Sequence, residues 1–188
     1  MNMKKRTAVL AVFLTAFLVA AKPSAAATNI YLQIPGIPGE ATATNYKDDI
    51  QLLSYSQSVM APATVGSGIG GITAGRATCG QITFIKHVDK ASYLLVQAVM
   101  TGKRIPDGYI SFVDTQGNGG VPRVDYLVTL KEFIFTSVQQ SDSSPAELTE
   151  NVSLVASKFD IEYVPFNSRG VAGAAEKLSV DCTASIVN

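Results

Sequence analysis

Apolar and polar side chains alternate along most of this chain in short runs, and glycine and proline punctuate them. Ile30, Leu32 and Ile34 alternate with Tyr31 and Gln33, which predicts a short strand with one buried face. The run halts at two consecutive Ile-Pro-Gly units, residues 34–39. Each proline removes a backbone donor and fixes φ, and each glycine permits the turn that follows. After a polar loop over 42–49, residues 50–59 predict a second strand. Residues 61–78 are rich in Gly, Ala, Pro and Thr with no sustained period, which predicts a long mobile loop. Residues 81–88 predict a third strand, with Ile82 and Phe84 on one face.

One helix is expected, at about residues 90–101. Asp89 is placed to act as its N-cap, and Leu94, Leu95, Ala98 and Val99 repeat at helical spacing. Gly102 stands where a left-handed residue would close it. The apolar stripe covers one face, so the helix should lie against a sheet. Strands resume over 109–114, 124–138 and 150–163, the first two separated by a Gly-rich turn and the last two by a Ser-rich one. Leu178, Val180, Cys182, Ala184 and Ile186 alternate with polar residues, which predicts a final strand joined by a flexible linker over 165–175. The pattern is that of one mainly β domain with one helix.

The first 27 residues change the picture. Lys4, Lys5 and Arg6 precede an apolar stretch of about 14 residues from Ala8 to Ala21, and Ala25-Ala26-Ala27 offers a small-residue cleavage pattern before Thr28. The apolar run is short of the roughly 20 residues needed to span a bilayer. A secretory signal peptide cleaved between Ala27 and Thr28 is expected, with an uncleaved anchor as the alternative. Its loss removes four cations and no acid, leaving 11 Lys+Arg against 15 Asp+Glu and a net charge of −4. A mildly acidic chain argues against nucleic acid and against an anionic membrane surface as partners. The remaining 161 residues suffice for one domain with a core.

Two cysteines, Cys79 and Cys182, remain. In an exported protein they invite pairing, and the bridge would close a loop of about 100 residues, stabilising by up to about 4.7 kcal/mol on the chain-entropy model. Two unpaired thiols, one in the core, are the alternative.

Several of these segments, in order, resemble the haemolysin-coregulated protein (Hcp) family, whose members form the inner tube of the bacterial type VI secretion system. The strand with its doubled Pro-Gly stop resembles the family's opening. Ile50, Leu53-Ser54-Tyr55-Ser56 and Val59 resemble its second strand. Phe84, Lys86 and Asp89-Lys90-Ala91-Ser92 resemble its strand-to-helix junction, a Lys-x-x-Asp-Lys-x-Ser run. Thr101-Gly102-Lys103 with Ile105-Pro106 resembles its helix exit. Tyr126, Leu127 and Val138, then Glu150 to Leu154 with Lys158, Ile161, Glu162 and Tyr163, resemble its paired long strands and its closing strand.

The resemblance implies a two-sheet β-barrel over 28–165, followed by a linker and an extra C-terminal strand over 166–188. It further implies a homo-oligomer, six copies closing into a ring that stacks into a tube, meets a spike protein and holds small effector proteins in its lumen. The loop lies where the family has an extended loop touching the next ring, which makes Val65, Gly66, Gly68, Ile69, Gly70 and Gly71 the candidate stacking residues. That loop is small and apolar here. The expected location is periplasmic or extracellular, which departs from a family that as a rule lacks an export signal. A secreted, stand-alone Hcp-like β-sandwich that binds a surface or ligand is the second reading.

Catalytic signals are weak. Gly66-x-Gly68-x-x-Gly71 matches a dinucleotide-binding string, but that string needs a preceding strand and a following helix, and 72–80 has no helical period. His87 is the one histidine, and no nucleophile–base pair accompanies it. One histidine and two distant cysteines do not make a metal site. Asp48-Asp49 reads as a solvated turn rather than a calcium loop, and Asn151-Val152-Ser153 is a glycosylation string inside a strand. No catalysis, cofactor or metal is expected.

Overall fold

The computed structural model describes residues 28–66, 71–115, 122–141, 148–167 and 169–187. Strand β1 (Thr28–Gln33) ends at the first Pro-Gly, where Ile37 N–H donates to Ile34 O at 3.1 Å across Gly36, whose φ is +80°. Proline then glycine at the centre of this turn is the type II arrangement. The second Pro-Gly has another purpose. A Cβ on Gly39 would collide with the backbone of Asp49 and Ile50, so glycine lets two backbone segments approach. Ile34 and Ile37 turn inward and are buried.

The predicted second strand is broken into β2 (Ile50–Leu52), β3 (Ser54–Ser56) and β4 (Val59–Met60). Next come β5 (Ala63–Val65), β6 (Ile72–Ala74), β7 (Thr78–Cys79) and β8 (Ile82–His87). Helix α1 (Ser92–Thr101) leads to β9 (Ile105–Asp114), β10 (Arg123–Ser141), β11 (Thr149–Tyr163), β12 (Glu176–Asp181) and β13 (Ile186–Val187). All pairings are antiparallel. β1 lies between β2 and β9, β10 between β9 and β11, and β8 between β3 and the first half of β11. The break at Leu53, whose N–H donates to Ile85 O at 2.7 Å, carries the chain from β2 beside β1 to β3 beside β8. That bend brings the circuit to near closure as a barrel. β10 and β11 are long enough to serve both sides, so the two faces form one nine-stranded sheet.

Long strands need a bend to close a barrel. The registers of β9 and β11 on β10 both step past Glu132, whose φ is +46°, and the β9 residue at that level is Pro106, which has no N–H to give. A second irregularity falls between Phe135 and Ser137. Leu32, Ile50, Phe84, Ile110, Leu130 and Leu154 are among the side chains that fill the interior.

The helix buries Leu95 and Ala98 against this core, with Leu94 and Val99 partly covered. Its outer face is also apolar, contrary to the one-face expectation, with Tyr93 68% and Met100 81% exposed. Gly102 closes it at φ +59°, with Lys103 N–H reaching Ala98 O. The helix cap falls at Ala91, two residues past Asp89. Asp89 still organises the entry, because its Oδ1 accepts Ala91 N–H while Ser92 Oγ accepts Asp89 N–H.

This entry sits on a buried ionic cluster. Lys86 and Glu150 are direct neighbours across β8 and β11, and both side chains are fully buried. Lys86 Nζ donates to Glu150 Oε1 at 2.7 Å, Asp89 Oδ1 at 2.8 Å and His87 O at 2.7 Å. Ser92 Oγ donates to the same Glu150 oxygen at 2.8 Å. The Lys-x-x-Asp-Lys-x-Ser run is thereby the joint between sheet and helix. Its second lysine, Lys90, pairs with Asp48 at 2.7 Å and ties the β1–β2 connection to the same place. Asp48 is exposed as expected, but Asp49 is buried, and desolvation followed by Asp48 repulsion pushes its carboxyl above the usual range.

The C-terminal segment departs from expectation in its last strand. Within the described part of the linker, Asn167 Oδ1 accepts the N–H groups of Arg169 and Val171, Phe166 bridges to Ala172, and the Arg123 guanidinium lies 4.4 Å over the Phe166 ring. The last strand is shorter than its alternation suggests. β12 follows the second half of β11 only as far as Asp181, whose Oδ1 accepts Thr183 N–H, Thr183 Oγ1–H and Ala184 N–H. That carboxylate turns the chain, Ser185 at φ +54° completes the turn, and β13 returns along β12.

Lys86→Met leaves Glu150 buried without its cation and should cost about 3–5 kcal/mol in urea unfolding. Lys86→Met with Glu150→Leu should cost less than the two single changes added together, and strict additivity would show that the pair is not coupled. Bonds from the Thr183 hydroxyl, then Lys158 and backbone Ala184, hold the Asp181 carboxyl far below its ordinary 3.8. A depressed carboxyl stabilises above its unfolded value and loses that contribution as pH falls through the folded one. Thr183 and Ala184 amide NMR signals should therefore stay constant from pH 7 to about 4 and move only in stronger acid. A midpoint near the ordinary value would contradict the turn.

Candidate functional site

The described parts of the segment over 61–78 form a β ribbon. β4 pairs with β7 at its base (Val59↔Cys79, Met60↔Thr78), and β5 pairs with β6 beyond it (Ala63↔Ala74, Thr64↔Thr73, Val65↔Ile72). Neither pair joins the barrel sheet. The β-branched residues Thr64, Val65, Ile72 and Thr73 favour extended backbone, and the surrounding Ala, Gly and Pro hide their alternation. In this register Ala63, Val65, Ile72 and Ala74 share one face of the arm. Thr64 and Thr73 share the other, with their hydroxyls 2.7 Å apart. Val65 is 80% exposed and Ile72 74% exposed, so the apolar face is uncovered. A two-stranded ribbon is marginal by itself in water.

The six stacking candidates divide accordingly. Val65 is on the apolar face, and Gly66 N–H donates to Gly71 O at 3.2 Å, with Gly71 at φ +67°. Gly68, Ile69 and Gly70 lie outside the described residues, as does Ala27; Thr28 is the first residue of β1 and pairs with Asp114. Strand β6, not a helix, follows Gly71, so the glycine string has no helix N-terminus to offer a phosphate.

The base of the arm is fastened to the tail. Cys79 and Cys182 are bonded, with Cα atoms 5.6 Å apart. Arg76, the one charged residue among 61–78, donates from Nε to Ser185 Oγ at 2.8 Å and from Nη2 to Thr183 O at 2.9 Å. Ser185 Oγ in turn donates to Ala77 O at 2.7 Å. The tail is held to the barrel through Cys182 N–H to Ser157 O at 2.9 Å and the Lys158–Asp181 ion pair at 2.9 Å.

Between tail and barrel lies an apolar cleft of about 670 Å³, walled by Tyr55, Tyr126, Phe159, Ile161, Leu178 and Val180. Phe112 meets Tyr55 and Tyr126 edge to face, each with centroids 5.3 Å apart. Burial, then the neighbouring Tyr126, pushes the Tyr55 phenol well above its usual range, and its hydroxyl donates to Gln57 Oε1 at 2.6 Å. Such a wall suits apolar contact. His87 is exposed at the end of β8. Among the described residues no group of three or more His, Cys, Asp or Glu stands together as a metal site, and no helix is long and apolar enough to cross a membrane.

Sequence reasoning missed the apolar arm face, the role of Arg76 and the pairing of Lys86 with Glu150. A signal for the last was present, since both residues occur at strand positions otherwise reserved for apolar side chains.

The family model described as "Type VI secretion system effector, Hcp" matches residues 31–163. The Hcp1 protein of Pseudomonas aeruginosa is 29% identical over 146 residues, spanning 77% of this chain and 88% of that protein. A solved structure described as that of a type six secretion system protein superposes with a TM-score of 0.78 at 21% identity, over 86% of this chain and 100% of the other. Hcp1 from Salmonella typhimurium superposes with a TM-score of 0.70 at 24% identity, over 86% and 99%. The structural likenesses establish the shared fold, and the matched region runs from within β1 to the end of β11, takes in the arm and stops before the tail. The chain belongs to the Hcp family of type VI secretion proteins.

Proposed function

We propose that this chain is an exported structural subunit, six copies of which close head to tail into a ring, with the arm packing on the next ring of an inner tube. A closed ring of identical subunits requires two unlike, complementary surfaces on each copy. Family membership supports the tube role, and one observation carries the stacking: the uncovered apolar face of Ala63, Val65, Ile72 and Ala74 on a ribbon that projects free of the barrel sheet. Burying such a face against a second copy would remove it from water and stiffen the ribbon. The register is then set by shape and apolar contact rather than by charge. Small effector proteins in the lumen and a spike protein at the tube end are the partners of this role, which asks for no catalysis.

Export follows from the leader. Cleavage between Ala27 and Thr28 would leave every described residue of β1 in the mature chain, beginning with Thr28, which pairs with Asp114. Cells making the full chain should yield a periplasmic or secreted product whose first residue is Thr28, read by mass spectrometry. An intact leader in that fraction would overturn the processing.

Assembly has a separate test. Mature protein kept oxidised should appear as six-fold rings and short stacks by native mass spectrometry and negative stain. Val65→Asp with Ile72→Asp should abolish stacks and leave single rings, with the unfolding free energy from urea titration within about 0.5 kcal/mol of the parent, as for exposed sites. Stacks that persist would remove the arm from the contact. A monomer at every concentration would overturn the ring and favour the stand-alone module.

A further inference from the structure

We propose that the C-terminal tail is a latch that sets the angle of the arm, with the Cys79–Cys182 bond as its bolt. The arm is held in a fixed pose only while that bond is formed. This rests on the arm being the contact between copies, and it adds when that contact is available.

The β5–β6 and β4–β7 ladders of the arm are internal to it, and they form small sheets separate from the barrel. Its side chains are almost wholly exposed, so packing does not fix its direction. Among the described residues, the side-chain hydrogen bonds that leave the arm run to the tail: Arg76 to Ser185 and Thr183, and Ser185 back to Ala77. The covalent bond runs to the tail as well, across 103 residues of sequence.

These restraints differ in kind. The Arg76 bonds are solvent-exposed, and water competes for both partners. The disulfide has no such competitor, so it is the restraint that holds when the hydrogen bonds flicker. The tail, in contrast, is well seated without it, since β12 pairs with β11 from Tyr163 to Lys158 and Asp181 is paired with Lys158. Loss of the bond therefore frees the arm more than the tail.

The chemistry that opens it is thiol–disulfide exchange. A thiolate of a dithiol attacks one cysteine sulfur, forming a mixed disulfide and releasing the other cysteine as a thiolate, which takes up a proton. The second thiol of the reagent then displaces the first cysteine. Two electrons pass to the protein, two protein thiols result, and the reagent leaves as a cyclic disulfide. A reducing cytoplasm favours the open latch, and the oxidising space beyond the inner membrane favours the closed one. The latch thus makes stacking conditional on export.

Trypsin supplies a direct probe, because Arg76 is the one Lys or Arg between residues 48 and 85, and its guanidinium is the group clasped by the tail. Oxidised mature protein should be cut slowly after Arg76. Treatment with dithiothreitol, or Cys79→Ser with Cys182→Ser, should speed that cut about ten-fold while cuts after Lys131 and Lys158 in the barrel keep their rates. Those barrel cuts separate release of the arm from general unfolding. Ser185→Ala in oxidised protein, which weakens the clasp but keeps the bolt, should change the Arg76 cut less than reduction does. Equal rates with and without the bond, or release by Ser185→Ala as complete as by reduction, overturns the latch. Native mass spectrometry in parallel should show stacks only in the oxidised sample. Stacks under both conditions sink the redox control and leave the ring standing, whereas monomers under both sink the ring while the trypsin rates still decide the latch.

Discussion

Lys86 lies in the middle of a hydrophobic barrel, and its ammonium group can stay there only if its donors are satisfied. A charge buried without partners costs several kcal/mol even after the protein relaxes. Glu150 faces it across the β8–β11 ladder, while Asp89, Ser92 and the His87 carbonyl close the shell from the turn that starts the helix. The arrangement is demanding in register. Sliding β8 by one residue along β11 would turn Lys86 outward and leave Glu150 alone in the core. A single pair therefore specifies which residues of two long-range strands meet and where the helix begins. Lys90, next to Asp89, extends the same junction outward to Asp48 and so to the connection that follows the Pro-Gly turns. Buried ion pairs do not in general add net stability, and this one is better understood as fixing one alignment among several apolar ones.

Near-closure of the barrel decides where interactions can occur. Strands β1, β8, β9 and β10 have neighbours on both sides, so little backbone remains to pair with another chain. Among the described residues, the most exposed large apolar side chains are Tyr93 and Met100 on the outer face of α1, and Val65 and Ile72 on the arm. The arm is the one that leaves the barrel sheet altogether. Arms of this shape extend the reach of a subunit without altering its core.

How far the sequence could be followed depended on the range of the interaction that shapes each element. β1, β9, β10, β11 and the helix were legible because alternation, helical spacing and Gly102 are local signals. The buried faces of Ile82, Phe84, Leu95 and Ala98 follow from periodicity alone. The arm was not legible, since two β-branched residues per strand, set among Ala, Gly and Pro, give no period long enough to register. The final strand misled for a different reason. Its alternation continues to Ile186, but Asp181 gathers three donors from Thr183 and Ala184, and that local turn outweighs the pattern. Arg76 looked like a stray charge because its partner Ser185 lies 109 positions away. Lys86 and Glu150 were visible as members of a resemblance, yet only the ladder shows that they are one unit.

The tail shows how an addition can be fitted to a finished barrel at little structural cost. The second half of β11 has β10 on one side and, without β12, an open edge on the other. An open edge is an invitation to pair with any extended chain, so covering it protects against unwanted association. β12 does this with six residues in continuous register, and Lys177–Glu162 and Lys158–Asp181 pairs mark its two ends. Once seated, the turn at Asp181 points Cys182 and Ser185 at the root of the arm, and the barrel need not change to accommodate them. The region shared with the family supplies a nearly closed barrel and an arm, and a short segment beyond it supplies the mount. Because the mount touches the arm at its base and leaves Val65 and Ile72 uncovered, it can restrain the direction of the arm without occupying the face that a neighbour would use.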